Sequence, residues 1–114
     1  MEKAYRVKKS AEIERIMSRK ASVGDGYFVV YKDENKESEH FRFAISVPKK
    51  YGTAVERNLM KRRIREIVRH AAFLESSEFF IIVKPKAADL SFEEISTRLL
   101  QLFARAKILK GQNQ

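Results

Sequence analysis

The chain has 114 residues and no cysteine, and its 24 lysines and arginines against 15 aspartates and glutamates give a formal net charge of +9. That length suits one domain, residues 1–114, with a single unstapled core, and the missing thiols exclude disulfides and thiolate zinc sites. The charge calls for an acidic partner, nucleic acid before an anionic membrane surface.

The amino-terminal stretch, Met1 to Lys9, is charged and lacks the apolar run of a signal peptide or membrane span, so a soluble cytoplasmic protein is expected. Ser10 is placed as the cap of a short first helix, with Glu12 and Glu14 in its positive first turn and Ile13, Ile16 and Met17 at helical spacing. Gly24-Asp25-Gly26 signals a turn. Tyr27 to Lys32, aromatic and β-branched, reads as a strand, and Asp33 to Glu39 as a charged connection. Phe41 to Val47 alternates, with Phe41, Phe43, Ile45 and Val47 on one face and Arg42, Ala44 and Ser46 on the other, until Pro48 stops it.

A basic helix is predicted from Ala54 to about Phe73. Phe79 to Lys84 is a continuous apolar run closed by Pro85, the pattern of a strand buried on both faces. Ser91 and Glu94 form a capping box, and Ile95, Leu99, Leu102, Phe103 and Ala106 give the final helix its apolar stripe. The polar tail from Lys110 to Gln114 is expected to fray. There is no repeat or internal linker. The order helix, strands, helix, strand, helix predicts an α+β sandwich with helices packed on a small sheet.

At 100° per residue the basic helix separates its residues by chemistry. Met60, Ile64, Ile67, Val68 and Ala71 fall on one arc, while Asn58, Lys61, Arg62, Arg65 and Arg69 fall on a neighbouring one. The first can dock on a core and the second can face phosphates. Glu56 and Glu66 are placed away from the basic arc, and Lys49 and Lys50 extend positive charge upstream. Like charges this close repel unless an anion accompanies them. Arg57 lies at the edge of the apolar arc, either held by backbone carbonyls or pointing toward a ligand with its planar fork.

No side chain is assigned to catalysis. His40 and His70 have no partner constellation, the carboxylates are scattered through charged loops and helix starts, and no glycine loop cradles phosphate. No metal site on the protein is expected.

The run Lys49-Lys50-x-Gly52-x-Ala54-Val55-x-Arg57-Asn58-x-x-Lys61-Arg62-x-x-Arg65-Glu66 resembles the signature of the protein subunit of bacterial ribonuclease P. Tyr5-Arg6-Val7-Lys8-Lys9, the Phe28-Val29-Val30-Tyr31 strand, the Ile45-Ser46-Val47 strand end and the late strand and helix extend the likeness to nearly the whole chain. The resemblance implies a mostly antiparallel sheet of about four strands with three helices. It also implies a left-handed strand-helix-strand crossover, against the usual right-handed rule, and kinship with one domain of a small-subunit ribosomal protein.

The function it implies is assistance to a catalytic RNA that removes the 5′ leader of precursor tRNA, with Mg²⁺ held mainly by that RNA and the substrate. Carried over by position, Arg57, Asn58, Lys61, Arg62 and Arg65 contact the catalytic RNA, with Lys49 and Lys50 adding phosphate contacts; Arg69 extends the same basic arc. Ile13, Met17, Val29 and Tyr31 occupy a cleft that receives the leader. Family members often carry phenylalanine at Ile13 and Met17 and glycine at Ala21, so ring stacking from those two helix positions is absent here, while Tyr31 retains it. The expected partners are RNA, without a membrane or an obligate protein partner. A ribosomal-type RNA binder without a role in cleavage, and a protein-only nuclease, are the competing readings.

Overall fold

A computed structural model describes residues 5–7, 9–19 and 21–111. The elements run α1 (Ser10–Ser18), β1 (Ser22–Gly24), β2 (Phe28–Glu34), β3 (Arg42–Ser46), α2 (Ala54–His70), β4 (Ser77–Val83) and α3 (Phe92–Arg105), with 3₁₀ turns at Lys49–Tyr51 and Pro85–Asp89. The sheet has the order β1-β2-β4-β3; β1/β2 and β2/β4 are antiparallel and β3/β4 parallel. This is the α+β architecture expected, with α2 as the crossover between two parallel neighbours.

Strand β4 has a partner on each edge and a packed layer on each face, which explains its unbroken apolar run. Phe79, Ile81 and Val83 enter the larger core with Met60, Ile64, Ile67 and Val68 of α2 and Ile95, Leu99, Leu102 and Phe103 of α3. Phe80 points the other way, into a small cluster with Val7 and Ile16 beneath α1. Rings dominate the larger core: Phe79 lies 5.6 Å from Phe43, 4.7 Å from Phe73 and 5.6 Å from Phe103. Burying such side chains contributes about 1.5–3 kcal/mol each.

Ser10 does not cap α1. Lys9 occupies the cap position without a side-chain bond, and Ser10 is already helical. Tertiary contacts hold this short helix instead. Asp33, Glu78 and Arg42 form one row across β2, β4 and β3, and α1 lays its own charges over it. Arg15 bonds Glu78 and lies 3.5 Å from Asp33; Arg19 Nε lies 3.2 Å from Asp33; Arg42 reaches Glu12 at 2.6 Å and Glu78 at 3.4 Å. The carboxylates are therefore not all in loops and helix starts, since Glu78 and Asp33 sit on strands with side chains 0% and 5% exposed. Buried acids survive there because arginines pair them.

Strand β1 pairs with Val29 to Tyr31 and was not predicted from the sequence. The turn after it is the one expected, closed by Asp25 Oδ1, which accepts the Tyr27 and Phe28 amides at 2.7 and 2.9 Å. Helix α2 stops at His70, three residues before the expected end, because Ala71 is extended. That turn-out lets Phe73 enter the aromatic core. Helix α3 matches its expected capping box and stripe. Beyond it, Lys110 donates its amide to Ala72 at 2.8 Å and pairs with Glu75 at 3.4 Å, so this first residue of the expected frayed tail is tethered. Residues 112–114 lie outside the described residues.

Candidate nucleic-acid interface

Helix α2 starts on a capping box that the sequence reading missed. Thr53 Oγ1 accepts the Glu56 amide at 3.2 Å, and the Glu56 carboxylate accepts the Thr53 amide at 2.9 Å. These bonds hold the Glu56 carboxyl below its ordinary pKa, and keep that acid away from the basic arc. Met60, Ile64, Ile67 and Val68 are buried, which fixes the helix about its own axis. Asn58 and Arg62 are consequently exposed, with Lys61 and Arg65 half-buried beside them. Lys49 and Lys50 are exposed in the 3₁₀ turn that leads into the helix. The side chains of Lys49, Lys50, Lys61, Arg62 and Arg65 make no hydrogen bond or ion pair among the described residues.

Two members of the expected set have protein partners. Arg69 lies 2.9 Å from Glu66, which also approaches His70 at 3.5 Å. Glu66 thus does not project away from the arc; at i, i+3 it neutralises one of its cations. Arg57 donates to the Gly52 carbonyl at 3.1 Å, the first of the two arrangements open to it.

Arg6 is the residue that sequence reasoning passed over. Val7 donates its amide to Phe43 at 2.8 Å and Arg6 bridges to Phe43, so the amino-terminal segment lies along the free edge of β3. This brings Arg6 to a cleft of about 450 Å³, shared with Lys61 and Arg65 and lined by Val7, Ile13, Phe43, Ala44, Ser46 and Phe80 among others. Among the described residues no carboxylate lines it. Arg6 Nε is buried without a hydrogen-bond partner among the described residues. Burial, and then the charge of Arg6, hold Arg65 below the ordinary arginine pKa. Such a cleft is arranged for an anion. The sequence signal is the Arg6-Val7 pair itself, an apolar residue fit for the core beside a cation forced to the rim.

The sheet face beneath α1 continues into a second surface. Next to the charged row lies Tyr31–Phe80–Ala44, and beyond it Val29–Ile82–Ser46. Ile13, Tyr31, Ala44 and Ile82 pack partly exposed around Val7, Ile16 and Phe80. Val29 is half-buried, and Met17, one helical turn after Ile13, is 37% exposed. Ile13, Val29 and Tyr31 therefore share one apolar face with a phenol at its centre, and Met17 stands on the helix above it.

His40 packs its ring 4.3 Å from that of Tyr5, and His70 Nδ1 lies 2.9 Å from the Glu66 carbonyl. Among the described residues no three or more His, Cys, Asp or Glu side chains form a metal-holding group, and no helix is long and apolar enough to cross a membrane.

Fold and site together define a small, basic α+β protein whose crossover helix displays cations beside an open sheet face. The profile of the family described as Ribonuclease P matches residues 1–107. A Ribonuclease P protein component from Macrococcus caseolyticus is 39% identical over 115 residues, covering 100% of this chain and 97% of that protein. A solved Staphylococcus aureus RNase P protein superposes with a TM-score of 0.86 at 41% identity, covering 95% of this chain and 100% of that one. The RNase P protein from Thermotoga maritima gives a TM-score of 0.79 at 27% identity, covering 88% of this chain and 96% of that one. The chain belongs to the Ribonuclease P protein family.

Proposed function

We propose that this chain is the protein component of a cytoplasmic ribonuclease P, binding a catalytic RNA subunit and the 5′ leader of precursor tRNA during tRNA 5′ maturation. One observation carries the reading: among the described residues, Arg6, Lys61 and Arg65 converge on a cleft that no carboxylate lines, and the side chains of Arg62, Lys49 and Lys50 are unpaired. Polyanionic RNA supplies the missing counter-charge. Lys49, Lys50, Asn58, Lys61, Arg62 and Arg65 are assigned to the catalytic RNA, with Arg57 and Arg69 as members of the same ridge already partly engaged within the protein. Ile13, Met17, Val29 and Tyr31 are assigned to the leader, where Tyr31 stacks a base.

Bond cleavage belongs to the RNA in this reading, with Mg²⁺ held by that RNA and the substrate. The protein lowers the repulsion between leader and catalytic RNA, so its benefit is greatest at low salt and low Mg²⁺ and shrinks as screening rises.

Reconstitution tests this. Precursor tRNA should survive the protein alone and be cut once the catalytic RNA is added, faster than by RNA alone in low Mg²⁺. Arg62→Ala and Arg65→Ala should each weaken RNA binding and reduce its salt slope by about one contact. Arg105→Ala, on the exposed side of α3, should not. Cleavage by protein alone would establish a protein nuclease, and binding without acceleration would leave a structural RNA binder.

A further inference from the structure

Away from the basic ridge, a second cleft of about 590 Å³ opens where the ends of α1, β2 and α3 meet. Its lining includes Arg19, Lys32, Lys36 and Lys107, with Leu74, 37% exposed, and the largely buried Ile108 as apolar wall beside Ser76 and the buried Ser77. It shares no residue with the cleft of Arg6 and Arg65.

Helix α3 ends in a Schellman motif: Lys107 donates its amide to Ala104 at 3.1 Å and Ile108 to Phe103 at 3.3 Å. That geometry places residue 107 in the left-handed region, and Lys107 has a φ of 59°. Glycine is the usual occupant, and a lysine is strained there. No side-chain bond compensates, because the Lys107 ammonium has no partner among the described residues.

The other cations of this cleft divide in two. Lys32 bonds the Ala106 carbonyl at 2.6 Å and Arg19 pairs with Asp33 at 3.2 Å. Lys36 is exposed and, like Lys107, unpaired among the described residues. Glu34 is the one carboxylate in the lining besides Asp33. Two free ammonium groups above an apolar wall suit a nucleotide unit, phosphates on the cations and a base lying against the aliphatic wall.

We propose that this cleft is a second site for single-stranded RNA, in which Lys36 and Lys107 take backbone phosphates and the Leu74/Ile108 wall takes a base. The residue at 107 is then a cation held in a backbone conformation better suited to glycine because its charge is used. The site goes beyond the assignment of α2 and the α1-side face to RNA, and does not depend on cleavage.

The test measures binding of a fluorescent ten-nucleotide single-stranded RNA to an Arg62→Ala/Arg65→Ala background, which weakens the first surface. Adding Lys36→Gln and Lys107→Gly should cut the residual affinity severalfold. The slope of log affinity against log salt should fall by about 1.4, the value for two single-strand phosphate contacts. Glu34→Gln should tighten binding. Lys107→Gly alone should raise the melting temperature, so lost binding cannot be ascribed to unfolding. Affinity and slope unchanged by the two lysine substitutions would overturn the site, as would no residual binding in the background. An oligoglutamate peptide of equal charge bound more tightly than RNA, through the same lysines, would assign the cleft to a protein partner and equally overturn it.

Discussion

Arg6 and Arg65 share a cleft beside β3 in which burial, and then the charge of Arg6, depress the pKa of Arg65, and no carboxylate among the described residues lines it. The native state therefore carries a repulsion that an anion relieves. Sulfate should raise the melting temperature more than chloride at equal ionic strength, adding about 2.7 kcal/mol at a hundredfold excess over Kd. Arg6→Ala should lose most of that increment. A melting temperature that follows ionic strength alone would contradict this.

The row Asp33–Glu78–Arg42 ties α1 to the sheet. Removing the central acid takes the buried partner from Arg15 and Arg42. Asp33 still pairs Arg15, which is 42% exposed, and Glu12 still pairs Arg42. The loss is therefore that of charged hydrogen bonds, about 1.5–3 kcal/mol. Glu78→Ala is thus expected to destabilise the fold by that order, and to accelerate hydrogen exchange in α1 more than in α2 or α3. Uniform exchange across all three helices would place the anchor of α1 elsewhere.

Acid should loosen the same contact. The hydrogen bond from Arg42 holds the Glu12 carboxyl below its ordinary value of 4.5. A carboxyl depressed on folding contributes stability that is complete above the unfolded value and lost as pH falls through the folded one. Denaturation midpoints should decline below about pH 4.5, the ordinary glutamate value, and Glu12→Gln should show a shallower decline. Identical acid profiles for the two proteins would remove Glu12 from the account.

Gly52 is required by its neighbour rather than by its own backbone. A Cβ there would stand 2.7 Å from Glu56 Oε1, the atom that accepts the Thr53 amide. Gly52→Ala should therefore displace the Glu56 carboxylate and cost the capping box its bond to the Thr53 amide. Thr53→Ala, which deletes the other half of the box, should cost about 1 kcal/mol. Thermal unfolding of Gly52→Ala that matches the parent would show that Glu56 moves aside without loss.

Tyr31 lies in the middle row of the face assigned to the leader. Tyr31→Ala should weaken binding of leader-bearing precursor by about 1–3 kcal/mol, one base stack, and leave mature tRNA almost unaffected. Equal losses for both RNAs would withdraw Tyr31 from that face.

The periodic elements were legible from side chains alone. The stripe of α3, the double burial of β4 and the apolar arc of α2 each follow from a pattern that admits one packing. The misses have a common cause in pairings distant along the chain. Strand β1, three residues long, is defined by its partner Val29 to Tyr31 rather than by its own composition. Glu78 reads as the polar edge of an apolar run until Arg15, 63 positions away, is brought over it. Arg6 becomes part of the site only once the amino-terminal segment lies against Phe43. The Thr53/Glu56 box is different: it has the same spacing as the one read at Ser91, and was overlooked beside the charge that follows it.

Strands β3 and β4 are adjacent and parallel, with α2 spliced between them. During synthesis the cationic helix is complete at His70, before β4 begins at Ser77 and well before α3 ends at Arg105. A nascent chain thus displays its charges ahead of the wall that orients them. On the proposed reading, discrimination among RNAs, unlike mere stickiness toward them, comes only once α3 has emerged.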